Sequence, residues 1–182
     1  MSKHIELNRT FLPYTQKGNN DPDYLRAQAR FGLGVLTWTD LLSLYRVVIL
    51  AEAGTGKTHE MQAQTERLLA DGRQAFFIPI EDLAQGTFEE ALMIGQPQEY
   101  DDWLGSDSPA WFFLDSVDEA RLSHPRNFEK AIRRFARNLG PSSNRAHVYI
   151  SSRVSDWRAI SDFRLVENLL PHVTVQKNDK NG

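Results

Sequence analysis

The stretch Val47-Val48-Ile49-Leu50-Ala51-Glu52-Ala53-Gly54-Thr55-Gly56-Lys57-Thr58 constrains this chain more than any other part of it. Val47 to Leu50 form an all-apolar run, the pattern of a parallel strand buried on both faces. Gly54 and Gly56 follow in a short loop, where they allow positive φ and let a ligand approach the backbone with no Cβ in the way. A helix is expected from Lys57 to Ala70, with Gly72 placed to end it. Strand, glycine loop and helix N-terminus in that order turn the loop's N–H groups and the helix's positive end into a nest for an anion.

This is the arrangement of a P-loop. Glu52, Ala53, Gly54, Thr55, Gly56, Lys57 and Thr58 are therefore the candidate nucleotide-binding residues. Lys57 is placed to reach the outer phosphates, and the Thr58 hydroxyl to hold Mg²⁺. The usual pattern begins with glycine where this chain has Ala51, a position that mainly leaves the strand.

Further strands alternate with helices along the chain. Ala75–Ile80 is expected as a second strand whose proline suits a sheet edge. Thr87 and Glu90 have capping-box spacing for a short helix ending near Gly95. Ala110–Leu114, His147–Ile150 and Val173–Val175 supply a third, fourth and fifth strand. Phe128, Ala131, Ile132, Phe135, Ala136 and Leu139 mark one helical stripe, stopped by Gly140-Pro141. Arg126, Lys130, Arg133, Arg134 and Arg137 fall opposite that stripe and read as a solvated basic face. Asp101-Asp102-Trp103 reads as an acidic loop with a packed tryptophan, and Trp157 as the anchor of a helix start. Before the first strand, residues 1–35 read as a polar arm with a turn at Lys17–Pro22 and a short helix over Tyr24–Phe31. Thr39–Leu44 reads as a helix entry. Residues 36–176 then form one α/β domain, and 177–182 a tail. The alternation implies a three-layer fold on a mostly parallel sheet.

Two more segments carry chemistry. Trp111-Phe112-Phe113-Leu114-Asp115 is a buried strand that delivers one carboxylate at its C-terminal edge, where α/β sheets bind ligands. Asp115 is thus the natural Walker B acid, sharing Mg²⁺ with Thr58. At the end of the fourth strand, Arg153 can sense a γ-phosphate, or else pair with Asp156 on the surface.

Asp115-Ser116-Val117-Asp118-Glu119 resembles the Walker B segment of the NACHT branch of the STAND nucleotide switches, relatives of the AAA+ ATPases. In that branch a small residue follows the aspartate, and acidic residues come one position further on. Ile150-Ser151-Ser152-Arg153 is similar to the family's sensor-1 strand, and Leu36–Leu42 to the segment that precedes its P-loop in bacterial members. The resemblance covers about Leu36 to Val175. It implies a five-stranded sheet in the order 5-1-4-3-2, with Arg153 beside both Lys57 and Asp115. It also implies ATP over GTP, Mg²⁺ as cofactor, and slow hydrolysis that resets a switch controlling assembly in defence signalling. Ser116 stands where other P-loop ATPases place a catalytic glutamate, so water activation falls to Asp118 or Glu119. Family members continue into a helical subdomain, a winged helix and a sensor region. With the sequence stopping soon after Val175, the expectation is a nucleotide-binding core with an open site, weak binding and little turnover.

Composition narrows the alternatives. The 182 residues include 21 basic and 24 acidic side chains, for a net charge of −3, and no cysteine. Disulfides, cysteine nucleophiles and thiolate metal sites are excluded. The near-neutral balance does not favour nucleic acid as a partner. His4, His59, His124, His147 and His172 share no metal-ligand spacing. Neither a signal-peptide core nor a membrane-spanning run is visible, so the expected location is cytoplasmic. ATP and ADP are the expected ligands, with a homo-oligomer or effector and sensor domains as further partners. Other classes considered are a non-hydrolysing nucleotide scaffold, an AAA+ motor and a small-molecule P-loop kinase. The kinase fits poorly, because Gly95–Ser108 is acidic and lacks the arginines of a lid. The motor would need an arginine finger and a pore loop, neither of which is identifiable.

Overall fold

The computed structural model describes residues 9–12 and 35–172, and the chain divides into two compact units, residues 1–44 and 45–182. In the first unit, Phe11 and Leu36 form an antiparallel bridge with both N–H···O distances at 2.7 Å. Phe11 meets Trp38 edge-on at 5.1 Å. Helix α1 (Trp38–Leu41) is a single turn. Its start is fixed where the Asp40 carboxylate accepts from the Thr37 amide at 2.8 Å and the Thr37 hydroxyl at 2.7 Å. The turn expected at Lys17–Pro22 and the helix expected over Tyr24–Phe31 lie outside the described residues.

The second unit alternates strands and helices. β1 (Arg46–Leu50) leads to α2 (Lys57–Ala70), and β2 (Gln74–Pro79) to three short helices: α3 (Ile80–Gln85), α4 (Phe88–Ala91) and α5 (Pro97–Leu104). β3 (Ala110–Asp115) is followed by α6 (Val117–Ser123), α7 (Asn127–Leu139) and a 3-10 turn over Gly140–Arg145. β4 (Ala146–Ser152) and α8 (Ala159–Leu169) complete the described chain. The sheet is parallel throughout, in the order β1-β4-β3-β2. It therefore has four described strands and not five, since the strand expected at Val173–Val175 lies outside the described residues. No described helix is long and apolar enough to cross a membrane.

Strand periodicity sorts the core into two faces. Phe76, Ile78, Phe112, Leu114, Val148 and Ile150 point to one side, where they are buried with residues of α3, α6, α7 and α8. On the other side, register partners stack as rings: Phe113 on Tyr149 at 4.9 Å and Trp111 on His147 at 5.0 Å. Tyr45 covers the outer face of His147 at 4.4 Å, so this histidine serves an aromatic stack.

Several local readings change with tertiary context. The helix after Thr87 ends at Ala91, well before Gly95. Residues 93–94 instead bond the outer edge of β2 through Phe77, which shields a strand edge that would otherwise be open. Gly95, at φ +97°, has to be glycine, because an added Cβ would lie 2.5 Å from the Phe76 ring. Asp101-Asp102-Trp103 is helical, because Pro97 at the first turn and the Gln96–Glu99 capping box start α5 ahead of it. Trp103 is nonetheless packed, with its indole N–H donating to the Ser108 carbonyl at 2.8 Å. Arg134 leaves the solvated basic face: it donates to the Leu83 carbonyl at 2.8 Å and to the Gly86 carbonyl, tying α7 to the end of α3.

One buried ion pair joins α6 to α8. Arg121 donates to both oxygens of Asp162, at 3.0 and 2.7 Å, and to the Asp156 carbonyl. Both side chains are 10% exposed or less, and Asp162 also accepts from the Arg158 amide at 2.7 Å. Removing one partner would strand a buried charge, at a cost of about 3–5 kcal/mol. Asp162→Ala should lower the unfolding free energy by that amount in urea denaturation. Arg121→Met with Asp162→Leu should recover most of it, and an equal loss in the double variant would show that packing, not charge, carries the junction.

Candidate functional site

The C-terminal ends of β1, β3 and β4 bring the candidate residues together. β1 delivers the glycine loop, in which Gly54 and Gly56 have φ of +72° and +79°. Gly56 is the N-cap of α2, so Lys57 and Thr58 start that helix. Lys57 places its ammonium on the loop's own carbonyls, those of Ala51 at 2.9 Å and Glu52 at 3.0 Å. The Thr55 hydroxyl donates to the same Glu52 carbonyl at 2.9 Å. Glu52 thus enters these contacts through its carbonyl, and its side chain is exposed.

Thr58 and Asp115 are in direct contact. The Thr58 hydroxyl donates to Asp115 Oδ2 at 2.7 Å, from the first turn of α2 to the end of β3. Asp115 is 4% exposed and also accepts from Ser116 Oγ at 3.1 Å and from the Ser151 hydroxyl. One carboxylate and one hydroxyl suit Mg²⁺, which keeps most of its water and completes its shell with phosphate oxygens. Among the described residues, no cluster of three or more histidines and carboxylates forms a protein-only metal cage.

Ser116 is the described non-glycine residue with positive φ, at φ 69° and ψ 70°. Such a conformation is costly for an L-residue with a side chain and persists only where the surroundings enforce it. Here it turns the chain sharply from β3 into α6. That turn points the next two acids in different directions.

Asp118 is buried and faces β4: it accepts from the Arg153 amide at 3.3 Å, and its Oδ2 lies 2.9 Å from Arg153 Nε. The side-chain contact is an ion pair at an angle too bent for a hydrogen bond. Arg153 is therefore paired with Asp118, not with Asp156, whose amide instead bonds the Arg153 carbonyl at 3.2 Å. The resemblance placed Arg153 beside Lys57 and Asp115; in the structure Lys57 and Arg153 each have their own partners.

Glu119 remains exposed. Partial burial, reinforced by the neighbouring charges of Asp115, Asp118 and Glu81, pushes its pKa above the usual carboxylate range, against a smaller lowering by the Ser116 hydroxyl. Ser151 and Ser116, which sequence reasoning did not single out as site residues, complete the network around Asp115. Ser151 had one available signal: it lies near the end of the strand that leads into Arg153.

No protein-family model matches the chain, and no curated protein matches it.

The loop geometry has a direct consequence. A Cβ added at Gly54 would meet nothing within 4 Å, so Gly54→Ala carries a backbone penalty and no clash. The expected loss of stability is about 1–2 kcal/mol, and smaller for Gly54→Asn, which tolerates the left-handed region better. Urea denaturation of the three proteins checks this, and an unchanged Gly54→Ala would contradict the positive φ.

Proposed function

We propose that this chain is an ATP-binding, slowly hydrolysing switch core of the NACHT-like STAND type. The observation that carries the reading is the 2.7 Å contact between Thr58 and Asp115. Two Mg²⁺-type donors, far apart in sequence, meet beside a loop with two left-handed glycines and a lysine folded onto its carbonyls. The described strand order, with β4 between β1 and β3, is compatible with the resemblance.

On this reading Lys57 exchanges the carbonyls of Ala51 and Glu52 for the outer phosphates, and the loop amides cradle the phosphate chain. Thr58 and Asp115 hold Mg²⁺, which when bound neutralises charge on the phosphate oxygens. Arg153 gives up Asp118 for the γ-phosphate. Glu119, the exposed carboxylate of elevated pKa, takes a proton from the attacking water as that oxygen bonds to the γ-phosphorus. The bond to the ADP oxygen then breaks and phosphate leaves. Asp118 is buried whereas Glu119 is exposed with a raised pKa, so Glu119 is the better placed of the two acids to act as base.

A non-hydrolysing scaffold is the second reading, and one observation favours it. Ser116 occupies the usual glutamate slot, and the next acid, Asp118, is engaged by Arg153. An effector, a sensed ligand and a homo-oligomer are proposals from resemblance alone.

Two measurements test this. Lys57→Ala should weaken binding of a fluorescent ATP analogue at least tenfold, because a hydrogen bond to a charged group contributes about 1.5–3 kcal/mol. Unchanged affinity would refute the nucleotide reading. For hydrolysis, a carboxyl of raised pKa keeps its proton to higher pH, so the base form appears only above the ordinary carboxylate range of about 4.3. Phosphate release should therefore rise with pH along an acid limb displaced upward, and Glu119→Gln should abolish the limb and bring turnover to background. Turnover at background across all pH values would favour the scaffold.

A further inference from the structure

We propose that Ser151 is a positioning residue for the divalent cation, holding the Asp115 carboxylate in its metal-ready orientation without touching metal or nucleotide itself. The proposal rests on the nucleotide reading above. Ser151 lies in β4 opposite Ile49 of β1 and is fully buried. Its hydroxyl donates to Asp115 Oδ1 and accepts from the Ser116 amide at 2.8 Å. A hydroxyl has one proton to give and lone pairs to receive, and this one spends the proton on the carboxylate and a lone pair on the peptide that follows it. A single side chain on the neighbouring strand therefore fixes both the acid and the left-handed residue after it.

The consequence for the acid is directional. Oδ1 is occupied by Ser151, while Oδ2 receives Thr58 and Ser116. Rotating the carboxylate would break the Ser151 bond in a place where water cannot replace it, since Asp115 is 4% exposed. Oδ2 thus stays turned toward Thr58, the partner with which it would share the cation. Partners that orient a metal ligand in this way typically change metal affinity 10–100-fold when removed. The end of β4 serves the acids of the β3–α6 junction twice over, Ser151 through Asp115 and Arg153 through Asp118.

A merely structural serine would support stability but would leave the metal's share of nucleotide affinity untouched. The experiment separates the two by titrating a fluorescent ATP analogue into the full chain, once with Mg²⁺ and once with EDTA. Parent, Ser151→Ala and Ser151→Thr are compared, and thermal melting without nucleotide establishes that each is folded. The expected result is that Ser151→Ala binds like the parent in EDTA but loses about tenfold or more of the affinity that Mg²⁺ adds. Ser151→Thr, which keeps the hydroxyl, should restore it. If Ser151→Ala does not fold, Ser151→Cys takes its place under the same expectations. Retention of the full Mg²⁺ gain, or an equal loss in both buffers, would overturn the positioning role while leaving the nucleotide reading intact. A parent protein that binds the analogue in neither buffer would overturn both.

Discussion

Hydroxyls from Thr58, Ser116 and Ser151 converge on one buried carboxylate, Asp115, and the placement of the other site residues follows from that convergence. A carboxylate removed from water at the end of a strand is costly unless its oxygens are hydrogen-bonded. The sheet meets this demand through its order. With β4 between β1 and β3, Ser151 lies next to Asp115, and the helix that follows β1 brings its first turn to the same carboxylate. The parallel arrangement gathers all three strand ends at one edge, and their chemistry is shared there.

Helix α6 extends this arrangement outward. Its first turn carries Asp118, which holds Arg153, and its next turn carries Arg121, which holds Asp162 and the Asp156 carbonyl. The segment from Arg153 to Asp162 is thus pinned to α6 at both ends by ion pairs of different character. At Arg121–Asp162 both partners are buried, and breaking the pair leaves an isolated charge. At Arg153–Asp118 the arginine is 39% exposed on its side chain and the aspartate 7%. The second contact is therefore the more open to solvent of the two, and the first is the buried anchor of the segment.

The elements most legible in the sequence were those whose local pattern and tertiary role agree. The bounds of α2 matched because Gly56 and Gly72 both take the left-handed conformation their positions suggested. The stripe Phe128–Leu139 faces the core, and Gly140 ends its helix. Pro79 lies on β2, an edge of the described sheet. Misreadings arose where long-range packing decided the outcome. Gly95 looked like a helix stop, but it serves the approach of backbone to Phe76, a contact no local pattern encodes. Arg134 looked solvated because its helical position is polar, yet its length lets it reach the carbonyls at the end of α3. At the site, the nearness of Thr58 to Asp115 was legible from motif spacing. Pairing Arg153 with Asp118 was not, because it depends on the turn at Ser116, and nothing in a serine announces a positive φ. Ser151 escaped notice for a related reason: a buried strand serine gains its role only from the neighbour that register gives it.

If Thr58 and Asp115 act on one shared cation beside a bound nucleotide, a double-mutant cycle will show it. ATP-analogue affinity would be measured in Mg²⁺ for the parent, Thr58→Ala, Asp115→Asn and the double variant. Ligands of a common ion should couple strongly, so the double variant should bind little worse than the weaker single variant, with a coupling of roughly 0.5–3 kcal/mol. In EDTA the coupling should shrink toward zero. Additive losses in Mg²⁺, or a coupling of the same size without metal, would show that the 2.7 Å contact is a hydrogen bond of the fold alone.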